Sequence, residues 1–194
     1  MSIDALSNSD PAAADEPEPS CDLTIHLDVE TSQAPDLAWI QRKLQAVVDR
    51  LKLESVSLSV VIVDDASIAD MHVRFLNVEG TTDVITFDLS DSAPPLPAGE
   101  GRGEGAPEST PPAHGQSVEG ELYLCLDEAT RQAQRFGHTV DAELLLYAVH
   151  GLLHLLGYDD HDPENHRIMH DTEDQLLTAI GVGPVFARRE GEGR

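Results

Sequence analysis

At 194 residues, 40% of them apolar, the chain is long enough to bury a core without disulfide staples, and it has no apolar run of membrane-spanning length. Its 36 acids against 12 bases give a formal net charge of −24, a balance that argues against a nucleic-acid partner, because phosphate is bound by Lys and Arg. The charge is uneven: residues 1–22 contribute −6 and residues 91–119 contribute −4, so the objection is weakened and not removed.

Residues 1–22 are rich in Pro, Ala, Ser and acid and predict a disordered tail. The opening MSIDALSNSD has neither a basic start nor an apolar stretch, which predicts no secretory leader and a cytoplasmic protein. Cys21 and Cys125 form no CxxC pair and fit free thiols in a reducing compartment. LTIHLDVE (23–30) alternates as a strand does, and residues 36–51 space Leu37, Ile40, Leu44, Val47, Val48 and Leu51 as a helix, with Asp36 near its start. Residues 55–65 read as a strand, 66–77 as a helix and 81–90 as a strand.

Residues 91–119, loaded with Pro, Gly and Ser, interrupt this pattern as a low-complexity insertion loop. The pattern then resumes with a strand (120–127), a helix (128–137), a helix opened by Thr139 and Asp141 and stopped at Gly157, and a helix near 163–180. Four strands and five helices predict an α+β fold: one domain over 23–181, with a small mixed four-stranded sheet and the metal-site helix in its C-terminal half. Residues 182–194 are expected to be a C-terminal tail.

The chemistry concentrates in HGLLHLLGYDDHD (150–162). His150 and His154 lie four apart in a helical segment, so both imidazoles share one face and can share a metal ion. Gly157 breaks the helix, and Tyr158-Asp159-Asp160-His161 follows, where the returning chain can deliver a third ligand such as His161. Three protein ligands plus water make a catalytic zinc layout, with the bound water activated as nucleophile. Nickel or cobalt would accept the same imidazoles. The zinc-protease motif carries Glu after its first His; here position 151 is Gly, so the usual general base is missing. His166 and His170 repeat the spacing among acids and read as solvated surface.

HGLLHLLGYDDH resembles the signature of the YbeY family of bacterial endoribonucleases and ribosomal RNA maturation factors, His-Gly-x-Leu-His-Leu-x-Gly-Tyr-Asp-His. TTDVITF (81–87) resembles the family's Thr-Asp-Val-Leu-Ser-Phe strand, and GELYLCLDEA (120–129) its Gly-Asp-Ile-x-Ile strand and following helix. The resemblance implies one zinc ion held by three histidines. It also implies cleavage of single-stranded RNA, maturation of the small-subunit 3′ end of ribosomal RNA, ribosome quality control, and the ribosome or its small subunit as partner. His150 and His154 carry over as ligands and, through metal-bound water, as the catalytic centre. For the third ligand His161 is expected, displaced by one residue, with Asp160 at the family's own position as the alternative.

The arginine that the family places ahead of its Thr-Asp-Val strand is Leu76 here, two residues after Arg74. Arg42, Lys43, Arg50 and Lys52 form the densest basic patch, a candidate phosphate surface whose plainer reading is a solvated helix face. Asp83 is a candidate for orienting a ligand or water, or else a turn residue. Two other functions stand beside the nuclease: a ribosome-assembly factor with a structural metal and little nuclease activity, and a metal-dependent peptide hydrolase.

Overall fold

A computed structural model of the chain describes residues 20–90 and 116–186. Most of the expected acidic tail (1–19), most of the expected insertion (91–115) and the end of the expected C-terminal tail (187–194) lie outside the described residues.

Strands β1 (Ser20–Leu27), β2 (Ser55–Val63), β3 (Val84–Asp88) and β4 (Ser117–Cys125) form one sheet in the order β1-β2-β4-β3. The first two pairings are parallel, and β3 runs antiparallel to β4. Five helices complete the α+β fold: α1 (Leu37–Leu51), α2 (Asp65–Leu76), α3 (Leu126–Phe136), α4 (Val140–Leu155) and α5 (Pro163–Ala179).

Two strands start earlier than their apolar pattern suggests. β1 begins at Ser20 and β4 at Ser117, because both pair there with β2: Ser20 and Ser117 each oppose Ser55, and Asp22 and Glu119 each oppose Ser57. Backbone hydrogen bonds carry this polar end of the sheet, with a 2.8 Å bond from Ser55 Oγ to Ser117 Oγ. Hydrophobic alternation cannot report such pairing. β2 stops at Val63 because the Asp64 carboxylate turns to cap α2, accepting from Ser67 N at 2.8 Å.

Strand side chains alternate between faces. Val56, Leu58, Val60 and Ile62 of β2 join the main core with α1 and α4, whereas Val63 joins Ile68, Ile85 and Cys125 in a smaller cluster with α2. Helix α4 is apolar nearly all round and is buried accordingly, from Leu144 and Leu145 to Leu152 and Leu153. Burying each such leucine contributes about 1.5–3 kcal/mol, so α4 is a rigid platform. Thr139 caps its start by accepting from Ala142 N at 3.2 Å.

Gly151 sets how closely α4 approaches the sheet. A Cβ there would stand 2.7 Å from Leu122 Cδ2 and 3.0 Å from Thr86 Oγ1. Position 151 is therefore a packing surface, where the glutamate a zinc protease carries would require Leu122 to move.

Both cysteines are free, Cys21 exposed and Cys125 buried. Burial pushes the Cys125 thiol up to about 12, and its Sγ donates to Asp65 at 3.1 Å. Among the described residues, no helix is long and apolar enough to cross a membrane.

Candidate metal centre

The i, i+4 spacing on α4 brings the rings of His150 and His154 edge to face, with their Nε2 atoms 3.0 Å apart. The outer nitrogen of each ring is tied down. His150 Nδ1 donates to Glu173 Oε1 on α5 at 2.7 Å, and His154 Nδ1 donates to the Tyr158 carbonyl at 3.1 Å. Both acceptors lack a proton to give, so in the neutral rings both Nε2 lone pairs converge on one point. Two lone pairs aimed at each other need a cation between them, either a proton or a metal. Tetrahedral zinc, with Zn–N near 2.0–2.1 Å, would set its nitrogens about 3.3 Å apart, close to the spacing present. The donor set fits a zinc-class ion.

The electrostatics of the pair are unequal. Burial pushes His150 down, but the Glu173 bond and the charges of Asp83 and Asp160 outweigh it and raise its proton affinity above the ordinary histidine range. Burial and the neighbouring His150 charge hold His154 below that range. A proton shared by the pair thus resides on His150 and points at His154.

Gly157 lets the chain reverse after α4. Its φ of +90° suits glycine, its N–H closes on His154 O at 2.9 Å, and Tyr158 N closes on Leu153 O at 3.0 Å, the double bonding of a glycine-terminated helix end. Tyr158 is buried, which fixes the carbonyl that holds His154. The Asp159 Oδ1 then accepts from Asp160 N at 2.8 Å and from His161 N at 3.2 Å, folding the turn on itself.

That turn decides which side chain faces the pair. Asp160 Oδ2 lies 3.9 Å from His150 Nε2, and the donor atoms of His150, His154 and Asp160 all fall within 4.8 Å of one another. His161 is directed outward. Its side chain is 76% exposed, and its Nδ1 is held by Asp159, whose carboxylate raises its proton affinity. The structure brings together His150, His154 and Asp160; His161 lies 3.9 Å from the other Asp160 oxygen, in a separate group with Asp159, and is not brought to the two histidines.

Glu173 is the functional residue missed in the sequence. Read as one of several acids on a solvated helix, it is completely buried and accepts from His150 Nδ1 at 2.7 Å and His170 Nδ1 at 2.6 Å. Burial raises a carboxyl's pKa, but these two hydrogen bonds outweigh it and keep Glu173 below the ordinary glutamate range. A signal was present: Met169, Glu173 and Leu177 share one helix stripe at i, i+4 spacing and are all buried. His170 is likewise not solvated, being 12% exposed and stacked on Phe186 at 3.5 Å.

Arg74 stands on the exposed surface, paired with Asp70 at 3.1 Å, and Leu76 is exposed. Of the basic patch on α1, Lys43 is committed to structure, donating to the Ile180 carbonyl at 2.6 Å and lying over the Trp39 ring. Asp83 accepts from Val84 N at 3.0 Å and from Thr82 Oγ1 at 3.1 Å, and its charge reaches His150.

The profile described as Endoribonuclease YbeY matches residues 25–181. An Endoribonuclease YbeY of Thermobifida fusca is 34% identical over 156 residues, covering 80% of this chain and 92% of that protein. One of Corynebacterium kroppenstedtii is 42% identical over 120 residues, covering 62% of this chain and 54% of the relative's length. A solution structure of a Thermotoga maritima protein shares the fold with a TM-score of 0.51 at 22% identity, covering 88% of this chain and 93% of that one. With its profile matched over most of its length, the chain belongs to the YbeY endoribonuclease family.

Proposed function

We propose that the chain is a zinc-dependent endoribonuclease that cleaves single-stranded RNA. We extend the reading to maturation of the small-subunit 3′ end of ribosomal RNA and to ribosome quality control, in the cytoplasm and on the ribosome or its small subunit. The observation that carries it is the convergence of His150 Nε2 and His154 Nε2, 3.0 Å apart, beside the Asp160 carboxylate. Asp160 is our third donor in place of His161; a carboxylate is a good zinc ligand.

A zinc-class ion held there supplies a Lewis acid that polarises a phosphoryl oxygen and activates water. The chain's own residues prepare the site. Glu173 fixes the His150 ring and tautomer, and the Tyr158 carbonyl does the same for His154. Leu152 and Leu153, fully buried in α4, hold the platform still. Asp83 and Asp160 add negative charge near His150 that favours a bound cation.

A second reading, an assembly factor whose metal is structural, draws support from Arg74 being tied to Asp70 while Leu76 occupies the arginine's position. Peptide hydrolysis is disfavoured by Gly151, where no glutamate fits without moving Leu122. Cleavage of single-stranded RNA by the purified chain and its His154→Ala variant, with zinc content measured on both, tests the proposal. The nuclease predicts that the variant loses cleavage together with the zinc held between His150 and His154. Stoichiometric zinc in the wild type without cleavage of any RNA would favour the assembly factor.

A further inference from the structure

Glu173 links more than the first histidine pair. Its second oxygen accepts from His170 Nδ1 at 2.6 Å, which leaves His170 with Nε2 as its remaining nitrogen. That Nε2 lies 3.1 Å from the Nε2 of His166, one turn back on α5, with the rings edge to face. The arrangement repeats the one on α4: two imidazoles at i, i+4, Nε2 facing Nε2, and one ring anchored through Nδ1 to the same buried carboxylate.

Further contacts hold His170 in place. Phe186 stacks on its ring at 3.5 Å and 3°, and the His150 ring lies nearly parallel to it, 5.8 Å away. Both contacts are to ring faces, and a metal is bound in the ring plane through Nε2, so the stacking orients the ligand without covering it. Phe186 is itself held by a 2.9 Å bond from its N–H to Asp174. His166 is exposed, so a bound ion would keep open positions for water or another donor.

We propose that His166 and His170 form a second metal site, taking a divalent late first-row cation such as zinc, nickel or copper through both Nε2 atoms. Imidazole pairs suit these ions and not calcium or magnesium, which prefer oxygen donors. The ordinary alternative is a His166 Nε2–H donating to His170 Nε2, which fits the same 3.1 Å and binds nothing. The site is independent of the nuclease reading, because it uses neither His150 nor His154 as a ligand.

The test is zinc stoichiometry by equilibrium dialysis and elemental analysis on the full chain after chelator treatment. His166→Gln, an exposed change that leaves the core untouched, serves as the variant, and its circular dichroism checks the fold. Two zinc ions per wild-type chain and one per His166→Gln chain are expected, with affinity for the second ion reduced at least tenfold. His154→Ala should retain the His166-sensitive ion. A wild type that loses no ion on His166→Gln, whatever its total, would overturn the proposal; a single ion that His166→Gln removes would uphold it and count against the first site instead.

Discussion

Glu173 and His150 meet across 2.7 Å between α5 and α4, the carboxylate fully buried and the imidazole nearly so. The bond sets the tautomer of His150, and with it the direction of the Nε2 that faces His154. It also ties the last described helix to the central one at the level of the site.

Replacing Glu173 should therefore affect both metal binding and stability. In Glu173→Gln the amide offers one acceptor oxygen to two Nδ1–H donors, leaving one donor unsatisfied in a buried place, at a cost of about 1–3 kcal/mol. Zinc affinity at the first site should fall about 10–100-fold, as for other partners that orient metal-bound histidines. Urea unfolding and a zinc competition titration read the two effects; unchanged zinc affinity would detach Glu173 from the site.

Gly151→Glu rebuilds the protease motif on paper. Because a Cβ at 151 meets Leu122 Cδ2 at 2.7 Å, overpacking should destabilise even Gly151→Ala by about 1–3 kcal/mol. A shift of the urea midpoint measures this, and Gly151→Glu should show no gain of peptidase activity. A Gly151→Ala protein as stable as the wild type would show that α4 is not clamped on the sheet there.

Zinc binding should weaken as pH falls. The proton affinity of His150 is raised above the ordinary histidine value of 6.5, so its imidazolium competes with the ion from somewhat above that pH downward. Binding should release a proton wherever His150 carries one. Titration calorimetry in buffers of different ionisation enthalpy counts that proton; affinity independent of pH between 6 and 8 would contradict the assignment.

The third donor separates two neighbours. Asp160→Ala should lower zinc affinity at the first site at least tenfold, whereas His161→Ala should leave it within a factor of two. Competition with a chromophoric chelator gives both numbers, and loss confined to His161→Ala would make His161 the third donor.

The helical spacing of His150 and His154, the stop at Gly157 and the apolar face of α4 were readable because each follows local periodicity. The start of β1 at Ser20 and of β4 at Ser117 was not, since polar residues there are held by backbone pairing to β2. Residue order alone does not tell which of Asp160 and His161 faces the histidine pair: the Asp159 carboxylate, bonding forward to two amides, turns the Asp160 side chain toward the pair and His161 outward. Glu173 was overlooked because nearby acids on α5 are solvated, and only its register with Met169 and Leu177 marks it as buried. Val185 and Phe186, expected in a tail, close against the core and against His170 because both are apolar and follow the turn after α5.

A cation between His150 and His154 should be required for RNA cleavage. The most direct measurement is the initial rate on a single-stranded RNA for chelator-stripped protein as zinc is added back, beside Asp160→Ala and His154→Ala. Negligible cleavage is expected without metal, with recovery that saturates near occupancy of the first site and a recovery curve shifted at least tenfold or abolished in the variants. Full activity in the stripped wild type, or unchanged recovery in His154→Ala, would contradict this requirement.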